Sequence, residues 1–366
     1  MNQIIFLSIF FIIYVAGNYY VYLKGQKALC QNCLLPKILY CVCFLLFSLA
    51  FPVAILERNT LPLTLLKLLY FVGCSWLGVC FFLVVLFALL SIVLKANTIK
   101  IQVFGAYALA LTLSCYGLWR FNHPKIVEQE IVIAKQAGNL HELTVVGISD
   151  LHLGMGLDKG WLKRKVEMIN TQKPDLVLLA GDLIDNTIRP LVEERMYEEL
   201  LHITAPMGVY ACTGNHEYMG SGMDKCRDFF RQANINLLED TTVIVDSSLC
   251  IIGRNDIKGS PHRKPLSDIV SLINKSLPII LLDHEPHHLE EAELNGIDLQ
   301  FSGHTHNGQI FPINLIVKSI YEIGHGYGRR GQTHYFVSSG LGIWGPLFRI
   351  GTDSELVVFK IRFSSE

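Results

Sequence analysis

Five short polar clusters in this chain carry residue types able to hold metal ions. They are Ser149-Asp150-Leu151-His152, Gly181-Asp182-Leu183-Ile184-Asp185, Gly214-Asn215-His216-Glu217, Asp283-His284 and Gly303-His304-Thr305-His306. Taken singly, each is ordinary. A Gly-Asp pair after an apolar run usually makes a turn, and an isolated His is more often a hydrogen-bonded polar residue than a ligand. The D-x-H and H-x-H spacings carry more, because alternate residues of an extended segment can aim two side chains at one point. Carboxylate oxygen with imidazole nitrogen suits Mn²⁺, Fe²⁺ or Zn²⁺. No cluster contains Cys, which argues against a structural zinc site.

Something must bring five clusters together, and the apolar runs before them supply it. Strands are predicted at Leu143–Ile148, Asp175–Leu179, 207–212, 242–246, 249–253, Pro278–Leu282, Leu299–Ser302, 334–338 and 355–362. Helices are predicted at about 160–172, 190–202, 224–233 and 266–275. This alternation is an α/β pattern with a strand-rich tail. Each polar cluster falls just past the C-terminal end of a strand, where open α/β sheets bind ligands.

In this order the clusters resemble the calcineurin-like metallophosphoesterases, whose run of D-x-H, G-D, G-N-H-E/D, H and G-H-x-H is present without a gap over residues 141–362. The match looks closest to the membrane-associated YaeI/YkuE-like branch. It extends through Asn307-Gly308-Gln309-Ile310 and the tail Val337-Ser338-Ser339-Gly340-Leu341-Gly342-Ile343-Trp344-Gly345-Pro346, with Arg349 and Glu355 beyond. Asn307 stands where that branch usually has Gly, and Asn tolerates positive φ better than most residues. The resemblance implies a two-sheet α/β sandwich and a site for two divalent ions (Mn, Fe or Zn). Asp150, His152 and His306 would hold the first ion, Asn215, His284 and His304 the second, and Asp182 would bridge them. His216 would stand by the leaving-group oxygen and not ligate. Physical chemistry agrees with those roles: a group shared by two dications should be anionic, and two ions about 3.5–4 Å apart can activate water and stabilise an in-line displacement at phosphorus.

Nearby residues receive lesser roles. Glu217 either orients the His216 ring or caps a helix. Asp185 reads as a support or cap and not as a ligand. His287 and His288 read as surface residues at a helix start, and His325 as a loop residue. Arg349 contacts a phosphate or pairs with Glu355, with the structural role preferred. The apolar, Gly-rich tail Leu341–Phe348 either rims the site and accepts an acyl group or only caps a sheet edge.

Composition divides the chain near residue 120. Before it stand eight Lys/Arg and one acid, a net of +7; after it come 23 Lys/Arg, 31 Asp/Glu and all 13 histidines, a net of −8. Four apolar stretches, at roughly 4–23, 36–56, 68–94 and 99–119, are each close to the 20 or so residues that cross a bilayer. The expected organisation is a four-helix transmembrane anchor over 1–120, a connecting segment over 121–140 and a metallophosphoesterase domain over 141–366. Asn18, Ser48 and Thr112 can bond neighbouring helix backbones, and no charged residue sits mid-span to mark an ion path. Seven of the ten cysteines lie in the apolar third, where they read as small buried residues. Cys30 and Cys33 form a lone C-x-x-C that reads as a loop.

Lys24, Lys27, Lys37, Lys95 and Lys100 fall on one side of the spans, against Arg58, Lys67, Arg120 and Lys125 on the other. That small bias places the catalytic domain outside the cytoplasm. The expected activity is hydrolysis of phosphate esters, foremost diesters, with a substrate that could be lipid-linked. A non-catalytic membrane sensor or scaffold would not need His216. A nuclease is disfavoured because the domain is acidic and lacks a basic stripe for nucleic acid.

Overall fold

A computed structural model of the chain describes residues 3–29, 33–94, 98–220 and 222–364, with side chains from Ser8 onward. Cys30 of the C-x-x-C and Lys95 lie outside the described residues. Two compact units are present. One is Met1–Trp119 with Gly345–Phe348; the other is Arg120–Trp344 with Arg349–Glu366.

The first unit is helical: α1 (Gln3–Ala28), α2 (Leu34–Leu56), α3 (Leu63–Val93) and α4 (Ile99–Asn122). Among the described residues, α2, α3 and α4 are long and apolar enough to cross a membrane. The expectation of four spans is therefore corrected to three. The first apolar stretch does form a helix, but Asn18, Tyr19, Tyr20, Tyr22, Lys24 and Gln26 dilute the described part of α1. Many apolar side chains face outward, among them Leu34, Leu46, Ile92 and Phe104, the reverse of a water-soluble bundle.

Polar groups inside this unit are satisfied locally. Asn18 accepts the Trp76 indole N–H at 2.8 Å and donates to the Tyr14 carbonyl, while the Tyr14 hydroxyl donates to the Ser48 carbonyl at 2.7 Å. The Ser48 and Thr112 hydroxyls bond carbonyls of their own helices, not of neighbours. Gly73 lets α3 lie directly on the backbone of α2 at Phe51. Phe348 stacks on Phe82 at 5.6 Å, in space left by Gly78.

The second unit holds two six-stranded sheets. Their strands are β1 (Lys125–Ile133), β2 (Glu142–Ile148), β3 (Leu176–Ala180), β4 (Val209–Cys212), β5 (Asn236–Leu237), β6 (Thr241–Val245), β7 (Leu249–Gly253), β8 (Ile279–Leu282), β9 (Leu299–Ser302), β10 (Gly326–Arg330), β11 (Thr333–Val337) and β12 (Glu355–Phe363). The sheet orders are β1-β12-β2-β3-β4-β5 and β10-β11-β9-β8-β7-β6. Strands β2 to β5 run parallel, as do β7, β8, β9 and β11; β12 is antiparallel to β2. Strand β1 falls within the segment expected only to connect, and pairs in parallel with β12.

The sheets pack face to face. Phe359 of the first meets Phe301 and Phe336 of the second edge-on, at 5.4 and 5.5 Å. Alternation along the strands builds two apolar layers at once. Ile280, Leu282 and Ile251 enter the intersheet core, while Ile279, Leu281, Cys250 and Ile252 face outward to the helices Leu266–Val270 and Leu289–Asn295. Strands buried on both faces read as unbroken apolar runs, which is why the sequence located them. The parallel strands β2, β3, β4, β8 and β9 all end next to a polar cluster.

The contact at Gly73 yields a test of the helical unit. Gly73→Ala would press a methyl group into the α2 backbone and force the helices apart, at a cost of about 1–3 kcal/mol. Gly105 of α4 has open space around its Cα, so Gly105→Ala should be neutral or stabilising by up to about 1 kcal/mol. Thermal melting of the full chain in detergent should fall for Gly73→Ala and hold or rise for Gly105→Ala; equal shifts would refute the close approach.

Candidate metal centre

Strand ends bring the five clusters to one place. The Asp150 main-chain N–H donates to the Gly181 carbonyl at 3.1 Å, that of His152 to the Asp182 carbonyl at 2.9 Å, and that of Gly303 to the His284 carbonyl at 2.9 Å. Side chains then cross between loops. The His304 N–H reaches both Asp150 oxygens at 3.1 Å, and the His216 N–H reaches Asp182 Oδ1 at 2.9 Å.

Three overlapping groups result, with donor atoms within 4.8 Å of one another: Asp150, His152 and His306; Asp182, His284 and His304; and His152, Asp182 and His216. His306 Nε2 lies 3.0 Å from His152 Nε2 and 3.4 Å from Asp150 Oδ1. Asp182 Oδ2 stands 3.1 Å from His284 Nε2 and 3.7 Å from His152 Nε2, so this one oxygen belongs to both sides. His304 Nδ1 is 3.0 Å from Asn215 Oδ1 and 3.3 Å from His284 Nε2. All eight site residues named from the sequence are thus in one cluster. Its mix of carboxylate, imidazole and amide oxygen fits divalent cations of the Mn, Fe and Zn type, and is compatible with two of them. Room is kept by glycine: a Cβ at Gly303 or Gly214 would strike the Asp150 or Asp182 carboxylate.

Backbone strain accompanies this convergence. Asp150, His152, Asp182, His304 and His306 all have φ between 45° and 68°, a region that non-glycine residues rarely occupy. Asn307 follows at φ 48°, in keeping with its tolerance of that conformation.

Electrostatics are set by burial. Burial alone would push Asp150 upward, but His306 and His152 hold its carboxyl well below the usual range. Burial would lower His152; Asp150 and Asp185 instead raise it to about 10. His304, desolvated and beside His284, falls to about 3.

The supporting residues divide clearly. Asp185 Oδ1 lies 3.0 Å from His216 Nδ1 and 3.7 Å from His152 Nδ1, the supporting position expected of it. Glu217 takes neither expected role. Its buried carboxylate accepts main-chain N–H groups from Asp182, Ile184 and Gly214 at 3.1, 3.0 and 2.7 Å, locking the Asp182 and Gly214 loops together. Burial and Asp182 raise it to about 7. Arg349 is fully buried and gives its N–H groups to the carbonyls of His306, Ser339 and Gly342, so it shapes the tail. Glu355 binds the Ser339 N–H and His325 instead. Trp344, 45% exposed, stands with its ring 6.1 Å from that of His216, its main chain held by Gln309. His288 is exposed, as expected of it. His287 is half-buried, 3.3 Å from Glu285, an acid that the sequence reading passed over.

Residues 143–308 match the calcineurin-like phosphoesterase family. The chain is 31% identical over 279 residues to an uncharacterized metallophosphoesterase of Campylobacter jejuni, across 75% of this chain and 71% of that one. It is 30% identical over 272 residues to a transmembrane protein with metallophosphoesterase domain of Danio rerio, across 70% of this chain and 62% of the other. Similarity to the uncharacterized metallophosphoesterase YkuE of Bacillus subtilis is 29% over 273 residues, across 71% and 94%. With this extent of similarity, the chain belongs to the calcineurin-like metallophosphoesterases, metal-dependent hydrolases of phosphate esters.

Proposed function

We propose that the chain is a membrane-anchored phosphodiesterase with a dinuclear centre. Asp150, His152 and His306 would hold one ion, Asn215, His284 and His304 the other, with Asp182 available to both. The observation that carries this reading is the place of Asp182 Oδ2, within 4 Å of imidazoles from both groups. When bound, divalent ions in such a pair supply Lewis acidity and lower the pKa of coordinated water.

The chain's own part is positioning and proton transfer. The His284 Nδ1–H donates to the Ala180 carbonyl at 2.8 Å, which leaves Nε2 free to ligate. With Asp185 beside its Nδ1, His216 presents Nε2 to the departing alkoxide and donates a proton there. The Arg349 Nη groups are engaged by main-chain carbonyls, so balancing ester charge would be left to bound ions, which suits a singly charged diester.

Two substitutions separate these roles. Asp182→Asn should cost one or both ions and nearly all activity. His216→Ala should keep both and slow turnover by about 10²–10⁴-fold, less so for an ester with an acidic leaving group such as nitrophenol. Metal analysis with rates on a good and a poor leaving group checks this. Loss of metal from His216→Ala would make it a ligand, as the third donor group permits.

An apolar margin supports a lipid-linked substrate. Trp344 stands beside His216, and the helix Ile313–Ile320, which follows the His306 loop, exposes Leu315, Ile316 and Ile320. Trp344→Ala should reduce turnover of a lipid-linked diester several-fold more than that of a water-soluble one; an equal effect on both would end this reading.

The lysine bias supports an extracytoplasmic catalytic domain. Replacing four spans by three moves only the N-terminus, so the bias assigns the domain to the same side. A C-terminal reporter active solely outside the cytoplasm is expected, and one active solely inside would reverse the assignment.

A further inference from the structure

Glu285 follows His284 directly and is buried, yet one of its oxygens has no hydrogen-bond partner. That oxygen, Oε1, lies 3.9 Å from His304 Nε2. The other, Oε2, is held by Lys258 Nζ at 2.6 Å and faces His287 Nε2 at 3.3 Å. The opposite nitrogen of the His304 ring, Nδ1, is the one among the donors Asn215 and His284. His304 therefore has one ring edge toward the metal donors and the other toward a carboxylate.

On the dinuclear reading above, we infer that Glu285 is a positioning residue for His304, accepting its Nε2–H when Nδ1 holds an ion. Ligation through Nδ1 fixes the proton on Nε2 and draws positive charge onto the ring, and a carboxylate there stabilises both. The present gap exceeds a hydrogen bond by about 1 Å, a distance that a small ring rotation closes. Two other histidines of the centre have matching supports. His284 gives Nδ1–H to the Ala180 carbonyl, and His152 Nδ1 faces Asp185 at 3.7 Å. Glu285 completes the same arrangement for His304. Asp283 anchors this segment independently, through Arg263 at 3.0 Å, so removing the Glu285 side chain need not unfold it.

Titration of metal-free full-length protein in detergent with Co²⁺ alone, followed by calorimetry and by the visible cobalt absorption, tests the inference. Glu285→Ala should weaken one of the two ions by about 10–100-fold and leave the other as in the parent protein. Glu285→Gln, whose amide oxygen still accepts a hydrogen bond, should recover part of that loss. His304→Ala is the control and should weaken the same ion. If His304→Ala weakens an ion while Glu285→Ala binds both normally, the inference is wrong and the dinuclear reading stands. If neither variant alters cobalt binding, His304 is not a ligand and both fail. A lowered melting temperature with both affinities unchanged would mean that Glu285 only packs, which also overturns the inference.

Discussion

Asp150 and Asp182 lie in one cluster with almost no access to water. Ionised carboxylates removed from solvent cost several kcal/mol each unless opposite charge and hydrogen-bond donors replace the lost water. Much of the catalytic unit can be understood as that replacement. The main-chain N–H of His304 reaches Asp150, that of His216 reaches Asp182, and imidazoles surround both. These donors come from distant parts of the chain, so only a fold that gathers several strand ends can supply them.

Gathering has its own cost in backbone conformation. Five residues of the cluster adopt left-handed φ values, where a Cβ crowds the neighbouring carbonyl. Such conformations persist only where surrounding structure over-determines them. Glu217 does so for the Asp182 and Gly214 loops, and Arg349 for the Ser339–Gly342 tail. Both are charged residues that act on main chain, a use that stabilises shape more than charge.

The legible part of this architecture was the part with local pattern. Apolar runs followed by D-x-H, G-D, G-N-H and H-x-H mark strands and the clustered polar residues together, because a doubly buried strand has no polar alternation to blur it. Strand β1 reads as a connector because one of its faces is exposed and Glu128-Gln129-Glu130 split its apolar residues into two short pieces. Strand β10 was hidden by its glycines, and α1 looked like a fourth span because its first half is the apolar half. Glu217 and Glu285 were ambiguous or silent for a different reason. Their partners are backbone N–H groups and a lysine 27 positions away, and no spacing rule connects a carboxylate to those.

Strand β12 lies inside its sheet, hydrogen-bonded to β1 on one side and β2 on the other, with Phe359 at the centre of the core. It is also the last of the described strands in chain order. Until residues 355–363 emerge, β1 and β2 have open edges and the intersheet core lacks one of its three touching aromatic rings. The helices that precede the catalytic unit are synthesised well before that moment. Synthesis therefore passes from the apolar helices to an incomplete sandwich with edges open to mispairing, which β12 then closes.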